Sequence, residues 1–222
     1  MAATASCGDD AFSFVRAHTT VCSPSLIPEL RLQLSDDVTE LWLATEEAMG
    51  RTNLPPPFWA FCWPGSQVIA RYLLDHPEAV QGKGVLDFAA GCGVAGIAAA
   101  RAGAARVTSN EVDLLAAAAI LLNAELNEAQ LEVALEDLIG SFRPVWEVVL
   151  AGDVCYEHSL ADRTAAWLRQ LARRGLLVLL GDPGRAFLPT EGLVEVARYT
   201  VPTSLDLEAE QQRETVLYRV VP

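Results

Sequence analysis

The chain has 222 residues, a length that suits one α/β domain with an N-terminal extension. Hydrophobic residues make up 51% of it, so a large core can form, and the formal net charge is −13 with Lys83 as the only lysine. Because phosphate contacts need clustered cations, this composition argues against a nucleic-acid partner. We expect a cap over residues 1–57, a main domain over residues 58–222, and a monomer.

Cysteine and histidine usage predicts neither a disulfide framework nor a metal site. The five cysteines are odd in number and contain no C-x-x-C pair, and the three histidines lie far apart. We therefore expect reduced thiols in a cytoplasmic protein that binds no metal. No apolar run is long and uncharged enough to span a membrane, and the first residues fit neither a secretory signal nor an Arg-rich transit peptide.

The N-terminal third carries few signals. Residues 1–11 are small and polar, and we expect them to be disordered. Residues 29–34 alternate strictly between polar and apolar, which predicts a half-buried strand. The segment up to Met49 is too short for a separate domain, so we expect it to cap the main sheet.

An aromatic segment over residues 58–65 follows three consecutive prolines. Ser66 is a candidate N-cap for a helix over residues 67–74. The segment can be a hydrophobic lid at one end of the sheet. Alternatively, Trp63 lies near a cofactor and Trp59 or Phe58 faces a substrate; the sequence favours neither.

The most informative stretch is an apolar run with an early acid, Asp87, that ends in the glycine pattern G-x-G-x-x-G at Gly91, Gly93 and Gly96. It predicts a strand, a tight turn and a helix. Two glycines let the backbone bend beside a ligand, and the third lets helix and strand pack closely. A tight junction without any ligand fits the same glycines.

Two acids favour a cofactor site. Asp87 lies four residues before Gly91, the D/E-x-x-x-G-x-G arrangement of S-adenosylmethionine (AdoMet) methyltransferases, whereas NAD-type turns usually lack an acid inside the strand. About twenty residues further on, a second predicted strand over 107–111 ends in Glu111, where a carboxylate can hold both ribose hydroxyls. In the methyltransferase arrangement Asp87 helps to place the amino-acid end of AdoMet.

The rest of the chain alternates between helices and strands. We expect helices over 94–102, over 114–126 with Asp113 as N-cap, and from a capping box at Ser159 to Arg173; strands are expected over 131–135, 146–151, 176–180, 194–201 and 215–220. This order predicts an α/β fold: a Rossmann-like, seven-stranded sheet with one antiparallel strand and helices on both faces.

Acids also follow the later strands. Asp137, or less favourably Glu136, is placed to accept a hydrogen bond from an adenine amino group. The strand over 146–151 delivers Asp153 and Tyr156 at its carboxyl end, where open α/β sheets bind ligands. Asp153 can instead be an acid that caps the following loop.

With the D-x-x-Y residues Asp153–Tyr156 in view, the chain resembles the seven-β-strand lysine methyltransferases, and most of all those of the electron transfer flavoprotein β subunit. Blocks 58–65, 86–93, 110–113 and 152–156 resemble that family's motifs, and the G-D-P-G-R block over 181–185 is the most specific. Ala90 and Glu111 depart from the family's usual Ser or Thr and Asp, and the N-terminal third matches weakly.

The resemblance implies a cofactor, a substrate and their residues. It implies AdoMet, with S-adenosylhomocysteine (AdoHcy) as product, and a protein substrate with exposed lysines, namely the flavoprotein β subunit; a ribosomal protein such as L7/L12 is a second candidate. It places Asp153 and Tyr156 at the point of methyl transfer, and around AdoMet it places Trp63, Asp87, Gly91, Gly93, Glu111, Asp137, Trp146 and Gly152.

We expect Asp153 to orient the incoming lysine amine, and Tyr156, with Trp59 or Phe58, to form an apolar wall around the lysine stem. Two alternatives remain open: a small-molecule N-methyltransferase on the same fold, and a non-catalytic module that binds AdoMet.

Overall fold

A computed structural model describes residues 9–203 and 211–222. Its centre is a seven-stranded sheet in the order β5-β4-β3-β6-β7-β9-β8, in which β9 runs antiparallel to both neighbours and the other pairs are parallel. The strands are β3 (Gly84–Phe88), β4 (Arg106–Glu111), β5 (Glu132–Leu135), β6 (Val148–Gly152), β7 (Leu177–Asp182), β8 (Leu193–Pro202) and β9 (Gln212–Val220). The predicted fold class is confirmed.

Helices cover both faces of this sheet. On one face α3 and α4 pack on side chains such as Val85, Val148 and Leu179. On the other face of the same strands, α6 packs through apolar side chains that include Trp167. The helices are α3 (Pro64–Asp75), α4 (Val94–Arg101), α5 (Leu114–Leu126) and α6 (His158–Arg173). Burial on both faces explains why the central strands are apolar throughout rather than alternating.

The N-terminal part packs mostly on the helices that cover the main sheet. It consists of α1 (Asp9–His18), β1 (Thr20–Cys22), β2 (Leu32–Leu34) and α2 (Val38–Met49), and β1 pairs with β2 in a separate two-stranded ribbon. Leu32 and Leu34 are buried against α3, α4 and α5. The predicted strand is therefore confirmed only over its last three residues.

The prediction of disorder over residues 1–11 is wrong for Asp9, Asp10 and Ala11, which form the first turn of α1. Residues 1–8 lie outside the described part of the chain. Helices α1 and α2 were not predicted. No helix in the described ranges is long and apolar enough to cross a membrane.

Two helix starts differ from the prediction, and those of α4 and α5 agree with it. Helix α3 begins at Pro64, not after Ser66, because proline at the first position already has helical φ. Helix α6 begins at His158, and Ser159 does not cap it but donates its hydroxyl hydrogen to Glu157. Asp113 does cap α5, since its side chain accepts the Leu115 amide hydrogen at 2.8 Å.

Candidate active site

The glycine turn joins β3 to α4 through several left-handed residues. Ala89, Gly91 and Gly93 have φ values of 51°, 56° and 80°. A Cβ added at Gly91 would meet nothing within 4 Å, so this glycine borders open space, whereas one added at Gly96 would overlap with the Ser109 hydroxyl and the Asp87 carboxylate. The turn therefore has one glycine that leaves room for a ligand and one that lets α4 pack on the sheet.

Glu111 bridges the glycine turn and the end of β4. Its Oε1 accepts the Gly91 amide hydrogen at 2.7 Å, and its Oε2 accepts that of Val112 at 3.1 Å. These bonds fix the carboxylate beside the open face of Gly91, and each oxygen keeps a further lone pair for a hydroxyl donor. Burial raises the pKa of Glu111, and the two amides act in the opposite direction.

Asp87 lies beneath the same turn, 2% exposed. Its Oδ2 accepts the Gly96 amide hydrogen at 2.8 Å and the Ser109 hydroxyl hydrogen at 3.4 Å. Burial raises the pKa of Asp87 to about 7, with Glu111 adding to the rise. Asp87 thus ties α4 and β4 to the strand that carries it.

Asn123 on α5 is a buried residue that the sequence analysis missed. Its Nδ2 donates to the Cys92 carbonyl oxygen inside the glycine turn at 2.9 Å, and its Oδ1 accepts the Gln33 amide hydrogen of β2 at 2.6 Å. The side chain therefore connects the N-terminal ribbon to the turn. An asparagine within a long run of alanine and leucine was the available signal.

A second junction lies where the start of α3 meets the ends of β6 and β7. Gly65, Gly152 and Gly181 interlock there: a Cβ at Gly152 would overlap with Ser66, and one at Gly65 or Gly181 would overlap with the other's carbonyl oxygen. Gly152 therefore serves this packing. Contrary to the expectation, it does not border an open cofactor space. Three blocks of the sequence, 58–65, 152–156 and 181–185, meet at this point.

Asp153 holds the junction together. Its Oδ2 accepts the amide hydrogens of Gly65 and Ser66 at 2.5 and 3.3 Å, at the start of α3. Its Oδ1 accepts from Arg185, Nη2 at 2.7 Å and Nε at 3.2 Å. The side chain is 8% exposed and the backbone has a φ of 55°. Burial raises the pKa of Asp153 to about 6, and Arg185 acts against this rise.

This geometry does not fit the expected contact between Asp153 and a lysine amine. A carboxylate offers about four lone-pair positions, and four protein donors occupy those of Asp153. The alternative role, in which Asp153 is a structural acid, is the one that these contacts describe.

An exposed aromatic surface lies beside this junction. Phe58 and Tyr156 are 39% and 48% exposed, with ring centroids 5.4 Å apart. Trp63 meets Phe58 edge to face at 5.8 Å and donates its indole hydrogen to the Phe58 carbonyl oxygen at 2.8 Å. Burial raises the pKa of Tyr156, and Glu111 and Glu157 add to the rise, so the phenol stays neutral near pH 7.

Trp59 does not belong to this surface. It is 3% exposed and packs with Val15 of α1, Leu41 of α2 and Leu115 of α5. Of the two aromatic residues expected to face a substrate, Phe58 is the one at the surface.

Two further residues expected to bind the cofactor, Trp146 and Asp137, lie at opposite edges of the sheet. Trp146 precedes β6, next to Gly84 at the start of β3, so it lies at the edge of the sheet opposite the glycine turn; it is 2% exposed. This position does not fit the expected cofactor contact. Asp137 follows β5 at the correct edge, where it accepts the Ile139 amide hydrogen at 3.0 Å and pairs with Arg163 at 2.9 Å. These two contacts lower its pKa.

Solved structures share this fold. An RNA methyltransferase from Pyrococcus horikoshii superposes with a TM-score of 0.56 at 18% identity, over 77% of this chain and 91% of its own. Trm5b from Pyrococcus abyssi gives 0.53 at 14% identity, over 92% of this chain and 56% of its own. A family model described as ribosomal protein L11 methyltransferase matches residues 72–152. The sheet order and these likenesses place the chain among proteins with a methyltransferase fold.

Curated relatives identify the family within this class. An electron transfer flavoprotein β-subunit lysine methyltransferase from Xenopus laevis is 42% identical over 176 residues, 78% of this chain and 70% of its own length. Its Homo sapiens counterpart is 35% identical over 208 residues, 92% of this chain and 78% of its own. The chain belongs to the family of electron transfer flavoprotein β-subunit lysine methyltransferases.

Proposed function

We propose that this chain transfers methyl groups from AdoMet to lysine side chains of the electron transfer flavoprotein β subunit. The observation that carries the proposal is the 42% identity with a relative of that name over 176 residues, 78% of this chain. A ribosomal protein such as L7/L12 is a second candidate substrate. A cytoplasmic location and a monomeric state remain predictions.

The residues of the glycine turn fit AdoMet. Among the described residues, no atom lies within 4 Å of a Cβ built at Gly91, so a ligand can approach the backbone there. Glu111 is held next to it with lone pairs left for ribose hydroxyls. We assign cofactor binding to Gly91 and Glu111, with Asp87 supporting the turn from below. Gly93 packs against α5, since a Cβ added there would lie 3.1 Å from the Ile120 side chain. AdoMet supplies an electrophilic methyl group on a sulfonium, so the enzyme has to deliver a neutral amine to it.

The obstacle on the lysine side is protonation. A free lysine has a pKa of about 10.4, so only a small fraction is neutral near pH 7. Removing water from the ammonium favours the neutral form. The rings of Phe58 and Tyr156 lie at the surface where a lysine stem can enter, and Trp63 closes the side towards the α3 junction. We assign lysine contact to Phe58 and Tyr156.

Asp153 acts one step away from the reacting atoms in this proposal. It fixes the loop that carries Tyr156 to the start of α3, which follows directly on Trp63. Both walls of the lysine site are therefore attached to one carboxylate. Placement to within an ångström matters here, because misplaced reacting groups lose on the order of a hundredfold in rate.

The open aromatic surface also bears on the alternatives. A small-molecule N-methyltransferase needs walls on every side of its substrate, whereas Phe58 and Tyr156 are 39% and 48% exposed. Such a surface suits a side chain presented by another protein. The formal charge of −13 further favours a lysine-bearing, basic patch on that protein.

The test is methylation of purified electron transfer flavoprotein β subunit by the purified chain with AdoMet, read by peptide mass spectrometry. We expect methyl groups on lysines of the β subunit. A panel of small amines is assayed in parallel. Methylated amines with an unmodified protein would favour the small-molecule alternative, and AdoHcy binding without any methylated product would favour the non-catalytic module.

A further inference from the structure

The G-D-P-G-R loop brings an arginine to the junction. Asp182, at the end of β7 and 1% exposed, accepts the amide hydrogens of Gly184 and Arg185 on its Oδ1 at 2.7 and 2.6 Å. Gly184 adopts a φ of 85°, which turns the chain back. The acid and the glycine of this block thus fix the direction in which Arg185 leaves the backbone.

The Arg185 side chain spans two parts of the lysine site. Its guanidinium bonds Asp153 through both Nη2 and Nε, and its Cζ lies 5.5 Å from the centre of the Trp63 ring. The side chain is 17% exposed. A planar, forked cation suits both contacts, since it can bind a carboxylate with two donors while lying over an aromatic ring.

We propose that Arg185 is a positioning residue for lysine methylation: it fixes Asp153, and with it the Tyr156 loop, to the Trp63 ring. The inference rests on the proposed function, because it concerns the lysine side of the same site. Tyr156 and Phe58 contact the substrate, and Arg185 sets the distance between the segments that carry them. The arginine itself does not touch the amine.

The positive charge of Arg185 also affects the protonation of Asp153. Within residues 9–203 and 211–222, the ionisable groups that face Asp153 include Asp182 from β7, Cys155 from its own loop, Cys62 from the segment before α3, and Arg185. Asp182 raises the pKa of Asp153, whereas Arg185 lowers it. Without the guanidinium, Asp153 takes up a proton at higher pH, and a protonated carboxyl is a poorer acceptor for the first amides of α3.

The experiment compares Arg185→Gln and Arg185→Lys with Arg198→Gln. Arg198 makes a similar two-donor contact to Glu195, at 2.6 and 3.1 Å, but on the exposed face of β8. For each variant, AdoHcy affinity, kcat and KM with the β subunit, and kcat from pH 5 to 9 are measured. Melting curves show which variants are folded.

For Arg185→Gln we expect kcat to fall on the order of a hundredfold, with AdoHcy affinity within about tenfold of that of the wild type. We also expect the acidic limb of the kcat–pH profile to move to higher pH. Arg185→Lys should move the acidic limb of the kcat–pH profile back towards that of the wild type, because the positive charge is restored. It should recover kcat only in part, because lysine lacks the forked, two-donor geometry of the guanidinium. Arg198→Gln should match the wild type.

The inference is overturned if both Arg185 variants retain wild-type kcat and pH profile, or if kcat falls with no displacement of the limb in Arg185→Gln. Should Arg185→Gln not fold, the Arg185→Lys kinetics decide: full recovery of kcat contradicts a role for the fork. Failure of the proposed function is a separate result, since the wild type would then leave the β subunit unmodified. In that case the free energies of unfolding of Arg185→Lys, Asp153→Asn and the double variant still measure the interaction energy between Arg185 and Asp153.

Discussion

The glycine turn and the α3 junction both lie at the carboxyl edge of the sheet, and both depend on glycines and a buried aspartate. At the turn, Gly91 faces open space. At the junction, Gly65 and Gly181 face each other's backbone with no space at all. Glycine therefore leaves room for a ligand in the first region and lets two backbones interlock in the second.

The two aspartates differ in the same way. Asp87 accepts from an amide and a hydroxyl, and burial raises its pKa to about 7. Asp153 has Arg185 as a partner, which counteracts burial, and its pKa is about 6. In the proposed function, the turn binds the cofactor, whereas the junction holds the two walls of the lysine site at a fixed distance. Four substitutions test this contrast.

Gly181→Ala should have the largest effect, because its methyl group would overlap with the Gly65 carbonyl oxygen and backbone cannot move aside cheaply. We expect a loss of about 3 kcal/mol or more in the free energy of unfolding. The melting temperature should fall by roughly 6–12 °C. Urea and thermal unfolding measure both quantities.

The control is Gly175→Ala, in a turn where the added Cβ meets nothing within 4 Å but φ is +89°. It should cost about 1–2 kcal/mol, from the left-handed backbone alone. Equal losses in the two variants would mean that the interlocked backbones are not the reason for glycine at the junction.

Gly91→Val should abolish cofactor binding while leaving a folded protein. The added side chain would occupy the open space beside Glu111, and we expect AdoHcy affinity to fall more than about 100-fold, or 2.7 kcal/mol. Gly82→Val is a matched control: its φ is +73°, its added Cβ also meets nothing within 4 Å, and it lies in the turn before β3. Calorimetry that finds equal affinities for the two variants would remove Gly91 from the cofactor site.

The region with short-range signals was predictable. The glycine turn and Glu111 lie within about 25 residues of each other, so strand, turn, helix and strand could be inferred from spacing alone. The fold class, a seven-stranded sheet with one antiparallel strand, followed from the alternation of strands and helices. Asp113 was recognisable as a helix cap because its partner is two residues away.

The junction was not predictable in the same way, because its contacts join distant parts of the chain. Asp153 meets the Gly65 amide across 88 residues and Arg185 across 32. Periodicity cannot show that a carboxylate is already occupied. Trp59 and Trp146 were misplaced for a related reason: the aromatic segment suggested a substrate contact for Trp59 and the family resemblance a cofactor contact for Trp146, but tertiary packing buries both.

Asp87→Asn tests the contrast between the aspartates through pH. The raised pKa means that the folded protein retains a proton that the unfolded chain releases near pH 4. Stability from neutral Asp87 is therefore fully present below about pH 4 and is lost as pH rises through about 7.

Asparagine keeps an oxygen acceptor and cannot ionise, so the variant should lose less stability over this interval. Between pH 4 and pH 8 the wild type should lose stability relative to the variant by on the order of a few kcal/mol, since each unit of pKa shift corresponds to about 1.4 kcal/mol. Urea unfolding at several pH values between 4 and 8 measures the difference. Parallel stability curves for the two proteins would contradict the raised pKa of Asp87.

Tyr156→Phe should have the smallest effect, and it asks whether the junction supports a ring or a hydroxyl. The ring packs against Phe58 with 5.4 Å between centroids, and the substitution keeps that contact. We expect kcat and KM with the β subunit to change by less than about threefold. Tyr156→Ala should raise KM by about tenfold or more, since an aromatic pair contributes about 0.5–1.5 kcal/mol beyond the area it buries.

Phe142→Leu is the control for this pair, because Phe142 is a similarly exposed ring, 38% accessible, in the loop before β6 and packed under Arg174. It should leave both kinetic constants unchanged. A loss in Tyr156→Phe as large as that in Tyr156→Ala would show that the phenol hydroxyl, and not the ring, receives the lysine amine. Tyr156 would then contact the reacting nitrogen directly, and the α3 junction would be positioning a hydrogen-bonding group rather than an apolar wall.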